Sequence, residues 1–220
     1  MNVENKLIVI EGLDGGGKTT QLELLKNDYP DFRFITFPNY DSPSGQIVSN
    51  YLNGAYSEKS PSVSAYTASC FYAVDRYTSY KTDWEKDYRS GKTIVSARYV
   101  SSNAIYQMTK LPQNEWEGYM DWLFDIEYNK FGIPKPSATI FLDMPPEVSR
   151  HLLLKRNNGD ANKLDIHESD LQFMSDCRKA ALYVAGKENW QIISCAENGS
   201  PRSIEDIHKT LVEKIEGLIK

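Results

Sequence analysis

The chain reads as an α/β fold, a parallel sheet covered by helices on both faces, and three observations carry that reading. Short β-rich runs at Leu7 to Glu11, Arg33 to Phe37, Thr93 to Ala97, Ala138 to Asp143 and Gln191 to Ser194 alternate with longer helical or polar stretches. Parallel strands joined by helical crossovers require that order. The first run leads directly into Gly12, Leu13, Asp14, Gly15, Gly16, Gly17, Lys18 and Thr19, a complete GxxxxGK[ST] phosphate loop. Near the end, Ile204, Ile207, Leu211, Val212, Ile215, Leu218 and Ile219 keep one apolar stripe behind Ser203, which predicts a capped packing helix.

Taken in order, the apolar run Leu7 to Ile10 buries the first strand and delivers the glycine-rich loop to its carboxyl end. Glycines let successive backbone N–H groups turn toward one centre, Lys18 reaches the β and γ phosphates, and the Thr19 hydroxyl is a ligand for Mg²⁺. A helix starting near Thr19, with Leu22, Leu24 and Leu25 on it, adds the positive end of its dipole to the same anion site. The second strand ends in Phe37, Pro38, Asn39 and Tyr40, and the helical region after it carries Phe71 to Arg76. Tyr72 and Arg76 are one helical turn apart, so a ring that stacks on a flat base lies beside a guanidinium that can bond an exocyclic oxygen. Arg98 follows the third strand, with Asn103 and Tyr106 on one face of the next helix. Ligands of open α/β sheets bind at that strand edge. Trp116, Met120, Leu123 and Phe124 are helically spaced within Glu115 to Glu127 and read as core or subunit contact. After a helix from Pro146 to Leu154, the polar stretch Lys155 to Glu168 reads by itself as a surface loop and, in a phosphoryl-transfer enzyme, as a lid that closes over ATP.

Composition excludes several functions. The chain has 220 residues, 40% of them hydrophobic, enough for one buried core, and no Pro/Ser-rich linker divides it, so residues 1–220 are expected to form one domain. No run of 18 apolar residues occurs, the first strand begins within a few residues, and neither a membrane span nor a secretory signal is expected; the expected location is the cytoplasm. A net charge of −5 argues against a nucleic-acid surface. Cys70, Cys177 and Cys195 fit neither a disulfide framework nor a zinc site and read as buried thiols. His151, His167 and His208 have no ligand spacing and read as structural or solvated.

The segments EGLDGGGKTT, FPNY, FYAVDR, RYVSSNAIYQ and PKPSATIFLDMPPE, in this order, resemble the thymidylate kinase (dTMP kinase) family over nearly the whole chain. The resemblance implies the three-layer phosphate-loop kinase fold, with a central five-stranded parallel sheet and helices on both faces. It implies transfer of the γ-phosphoryl group of MgATP to dTMP in dTTP biosynthesis, by a homodimer, with Mg²⁺ as cofactor. Carried over position by position, Gly12, Asp14, Gly15, Gly16, Gly17, Lys18, Thr19 and Thr20 would hold ATP, with Thr19 toward the metal. Tyr72 would stack on thymine, Arg76 would bond a thymine carbonyl and Asn103 would read the base edge. Tyr106 and Asp14 would hold the deoxyribose, Arg98 the acceptor phosphate, and Phe37 and Tyr40 would belong to the dTMP pocket. Gly15 stands where some members carry a basic residue, so the catalytic cation beside Lys18 and Arg98 would come from the lid, as Arg156 or Lys163.

One position departs from the family. Its third strand ends in Asp-Arg-Tyr, and this chain has Ala97, Arg98 and Tyr99. A methyl group in place of that carboxylate removes a charge near the metal, so weakened catalysis with retained nucleotide binding is expected unless Asp14, Glu11 or Asp143 compensates. A phosphate acceptor with a second pKa of about 6 is already mostly dianionic at pH 7 and needs no general base, which agrees with an arginine rather than a carboxylate at the acceptor. Two alternative readings stand beside this one: a kinase for another pyrimidine monophosphate or a deoxynucleoside, and a nucleotide-binding protein with little catalysis.

Overall fold

The computed structural model describes residues 6–56, 63–156 and 170–219. Within them, strands β1 (Leu7–Gly12), β2 (Arg33–Thr36), β3 (Ile94–Ala97), β4 (Ala138–Asp143) and β5 (Gln191–Ser194) form one parallel sheet in the order β2-β3-β1-β4-β5. The helices are α1 (Lys18–Asp28), α2 (Pro43–Leu52), α3 (Ala65–Ser79), α4 (Glu85–Arg89), α5 (Val100–Tyr106), α6 (Trp116–Phe124), α7 (Pro146–Arg156), α8 (Leu171–Lys187) and α9 (Ile204–Ile219). A small antiparallel pair, β6 (Ala196–Glu197) and β7 (Ser200–Pro201), follows β5. Every residue of β1 is buried, as the middle strand of a parallel sheet must be, while the edge strand β2 is not fully covered.

The described residues gather into two compact units, one lying within Met1–Val9 and Arg33–Ser137, the other within Ile10–Phe32 and Ala138–Lys220. In the first, α2 begins at Ser42, whose hydroxyl accepts from the Gly45 N–H at 2.9 Å, and α3 begins at Ser64, which caps the Thr67 N–H at 3.1 Å. Trp116, Met120 and Leu123 are buried on α6 as their spacing predicts. The regular helix stops at Phe124, however, and Asp125–Lys130 continues as a π-helical turn.

The second unit holds the phosphate loop. Leu22 and Leu25 of α1 are buried, and α9 packs through Ile207, Leu211 and Ile215, with the Ser203 hydroxyl capping the Asp206 N–H at 3.0 Å. His208 joins these two helices, its ring nitrogens lying 2.9 Å from the Gln21 side-chain oxygen and 2.8 Å from an Asp28 carboxylate oxygen. His151 is exposed, and His167 lies outside the described residues. Cys177 and Cys195 are buried as expected, and burial pushes the Cys195 thiol up to about 12. Cys70 corrects the expectation: it is only half-buried, because its place on α3 turns it toward the edge of the helix's packed face.

Candidate active site

In the second unit, the chain leaves β1 at Gly12 and re-enters regular structure at Lys18 through a loop whose shape depends on glycine. Gly15 and Gly17 have φ of 72° and 85°, the left-handed region that a side chain disfavours. A Cβ on Gly15 would lie 2.7 Å from Cγ of Leu153 on α7, and one on Gly16 would lie 2.9 Å from the Leu13 carbonyl oxygen. The Gly16 N–H closes the turn on that same carbonyl at 3.0 Å. A Cβ on Gly12 would come 3.1 Å from the Leu142 carbonyl oxygen, which is how closely β4 approaches the loop. Lys18 is half-buried and folds back over the turn, its ammonium donating to the carbonyl oxygens of Gly12 at 2.7 Å and Leu13 at 2.9 Å, with Asp14 at 4.0 Å. Thr19 and Thr20 are exposed on the first turn of α1. Glu11 is buried in β1, while Asp143 is held by Arg178, which donates to its two oxygens at 2.7 and 2.9 Å.

In the first unit, Ala97 closes β3 as a buried residue, and its carbonyl accepts from the Phe37 N–H at 3.1 Å. Arg98 then turns the chain with φ of 63°, a conformation uncommon for a residue with a side chain, and its carbonyl accepts from the Ser96 hydroxyl at 2.7 Å. Its guanidinium lies 4.9 Å from the centre of the Tyr106 ring. The sequence pairing of Tyr72 with Arg76 on one helix holds, both lying on α3 one turn apart. Tyr72 is half-buried, and desolvation pushes its hydroxyl above the ordinary tyrosine range. Arg76 is 1% exposed and Glu127 is 0% exposed. Glu127 Oε2 accepts from Arg76 Nε at 2.7 Å, Oε1 accepts from Nη2 at 2.6 Å, and the Tyr99 carbonyl accepts from Nη1 at 3.2 Å. Burial pushes the Glu127 carboxyl up, and the guanidinium opposes that shift.

The remaining acceptor positions are set by their surroundings. Asn103 is buried, with its Nδ2 donating to the Ser69 carbonyl at 3.3 Å, and the Ser69 hydroxyl meets the Tyr119 hydroxyl at 2.5 Å. Phe37 is buried with its ring 5.9 Å from that of Tyr99, whereas Tyr40 is 46% exposed. The turn between them is tied to α3, because Asp75 Oδ2 accepts from the Asn39 N–H at 2.9 Å and Oδ1 from the Ser44 hydroxyl at 3.0 Å. Arg156 ends α7, and Lys163, with the rest of the expected lid from 157 on, lies outside the described residues.

Three side chains here escaped the sequence reading. Glu127 extends the stripe Trp116, Met120, Leu123 by one more helical step, and a charged residue on a buried stripe is the available sign that a buried cation faces it. Asp75 sits beside Arg76 in a motif already singled out, but its partners are a turn and a helix cap more than 30 residues away in sequence. Gln107 is buried next to Tyr106, and its Oε1 has no hydrogen-bond partner among the described residues, an unusual state for a buried amide oxygen.

The family model for thymidylate kinase matches residues 10–210. A probable thymidylate kinase of Pyrobaculum aerophilum is 27% identical over 213 residues, covering 97% of each chain. The thymidylate kinase of Mycobacterium tuberculosis strain H37Rv is 29% identical over 183 residues, covering 80% of this chain and 83% of its own. Among solved structures, thymidylate kinase from Candida albicans has a TM-score of 0.71 at 22% identity, over 97% of this chain and 92% of that one, which shows a shared fold. The chain belongs to the thymidylate kinase family.

Proposed function

We propose that the chain transfers the γ-phosphoryl group of MgATP to dTMP, giving dTDP and ADP in the cytoplasmic synthesis of dTTP. The single observation that carries the reading is a phosphate loop with Lys18 over its turn in a chain of this family. In the donor half, Gly12, Asp14, Gly15, Gly16, Gly17, Lys18, Thr19 and Thr20 bind ATP, the backbone N–H groups and the helix dipole gripping the phosphates. For Lys18 this means leaving the carbonyls it now bonds and taking the β and γ phosphates in their place. The donor set suits Mg²⁺, which takes oxygen ligands and keeps waters and phosphates as most of its shell, with the Thr19 hydroxyl as its protein ligand. When bound, the ion neutralises charge on the transferring group.

In the acceptor half, Tyr72 stacks on the base, Arg76 and Asn103 bond its edge, Phe37 and Tyr40 line the pocket, and Asp14 and Tyr106 hold the sugar. Gln107, with its unsatisfied buried oxygen, is a further acceptor for a base N–H. Arg98 binds the acceptor phosphate, held over Tyr106. No base is needed, so catalysis rests on positioning and on cations arranged around two anions that otherwise repel. Lys18, Arg98 and a lid residue, Arg156 or Lys163, supply that charge. Ala97 favours a second reading, a nucleotide-binding protein with little catalysis, because the strand end lacks a carboxylate and Asp143 is held by Arg178. Turnover with dTMP, dUMP, dCMP and thymidine, beside binding of ATP and dTMP, tests both. The proposal expects dTDP from dTMP as the preferred reaction; binding with almost no dTDP supports the second reading instead.

The homodimer is proposed through the outer side of α3. Tyr66, Val74 and Tyr77 are large and exposed there, and with Cys70 they follow one another at helical spacing.

A further inference from the structure

We propose that Glu127 is a positioning residue for base recognition: it holds the Arg76 guanidinium in the one orientation that presents hydrogen-bond donors to a pyrimidine C4 carbonyl. The inference rests on the assignment of Arg76 to the base edge given above. A guanidinium carries five N–H donors in one rigid plane. Two of them, on Nε and Nη2, are closed on the two oxygens of Glu127 at 2.7 and 2.6 Å, and one on Nη1 is closed on the Tyr99 carbonyl at 3.2 Å. Among the described residues no further bond closes on the guanidinium, which leaves one N–H on each terminal nitrogen for a ligand. Because the group is planar and gripped along one side, the directions of these two donors are fixed before any ligand arrives. A donor pair that cannot lose its protons donates to a carbonyl oxygen, as thymine and uracil present at C4, and opposes the amino group that cytosine presents there.

Several features favour orientation over simple core filling. Both partners are almost completely buried, and a buried ion pair gives little net stability over apolar residues of the same volume. The carboxylate is brought there by the π-helical turn Asp125–Lys130, a departure from α6 whose closing bonds include the Phe131 N–H to the Ile126 carbonyl at 2.8 Å and the Ile133 N–H to the Glu127 carbonyl at 3.2 Å. Such turns recur where a side chain must be re-aimed for function. The sequence neighbour of Arg76 repeats the arrangement, since Asp75 fixes the turn that bears Phe37 and Tyr40.

The test compares Glu127→Asp, which keeps the charge but withdraws the fork by one methylene, with Glu127→Gln, which keeps the shape and turns an amide toward the guanidinium. Initial rates are measured with dTMP, dCMP and ATP each varied. The expected result for both variants is a KM for dTMP raised tenfold or more, a KM for ATP within twofold of the parent, and a tenfold fall in the dTMP to dCMP ratio of kcat/KM. A folded Glu127→Asp variant with dTMP KM and dTMP to dCMP ratio within twofold of the parent would overturn the proposal. Should neither variant fold, ¹H–¹⁵N spectra of the parent's arginine side chains, assigned with Arg76→Lys, decide the matter. An Arg76 Hε signal resolved without ligand and unmoved by dTMP supports the proposal, and a signal that sharpens only on adding dTMP contradicts it. A parent that forms no dTDP from dTMP overturns the underlying assignment as well, whereas an active parent with unaffected variants overturns the role of Glu127 alone.

Discussion

Arg98 combines a left-handed backbone with a guanidinium poised over an aromatic ring, and the two features separate cleanly by mutation. A non-glycine residue held at φ of 63° costs about 1 kcal/mol or more, so Arg98→Gly should be at least as stable as Arg98→Ala in thermal melting. Both variants should raise the KM for dTMP and lower kcat together, each by roughly tenfold, on the order of 1.4 kcal/mol apiece. Unchanged kinetics would remove Arg98 from the acceptor phosphate. At Ala97 the expectation runs the other way: Ala97→Asp should raise kcat at saturating Mg²⁺, and an unchanged or lower rate would assign the charge balance to another group. The sequence made both residues legible, because a motif names its own members. It did not disclose that Asp143 is closed on Arg178, since that pairing spans two separate elements.

Among the elements, the loop at the end of β1 and helix α7 are fitted to each other through Gly15 and Leu153. A methyl group on Gly15 meets both an unfavourable φ and a leucine side chain 2.7 Å away, so Gly15→Ala should destabilise by about 1–2 kcal/mol and lower Tm by about 2–8 °C. Its KM for ATP should also rise, because the loop must shift; a variant melting and binding like the parent would show that the loop has slack. The cysteines test helix faces independently. Burial holds the Cys195 thiol far above neutral pH, at about 12, so an alkylating reagent at pH 8 should leave it and buried Cys177 unmodified in the native protein. Half-buried Cys70 is the thiol that reagent should reach first, unless a partner covers α3. Strand positions were legible almost to the residue, because β1, β3 and β4 are buried apolar runs and the partly covered edge strands β2 and β5 still carry short β-branched or aromatic runs between polar breaks. The end of α6 was not: amphipathic spacing carries on past Phe124 in the sequence, whereas the backbone changes to a π-helical turn that no residue pattern announces.

At the scale of the whole molecule, the family is shown over residues 10–210, and each of the two compact units carries one set of candidate residues, the phosphate loop in one and the nucleotide-acceptor positions in the other. The family and the sheet were legible because their motifs are local in sequence. The settings of Arg76, Asn103 and Phe37 were not, because each depends on a buried partner from a distant element. Dimerisation belongs to this scale too. Val74→Glu, on the exposed side of α3, should shift the protein from dimer to monomer mass in light scattering, and a parent that is already monomeric would contradict the proposed interface. Phosphoryl transfer to a nucleoside monophosphate is decided by product analysis of the parent protein with ATP, Mg²⁺ and either dTMP or thymidine. The expected products are dTDP and ADP in equal amounts from dTMP and almost nothing from thymidine, whose hydroxyl must lose a proton where the dianionic phosphate of dTMP need not. Equal turnover of thymidine, or ATP and dTMP bound with no dTDP formed, would contradict it.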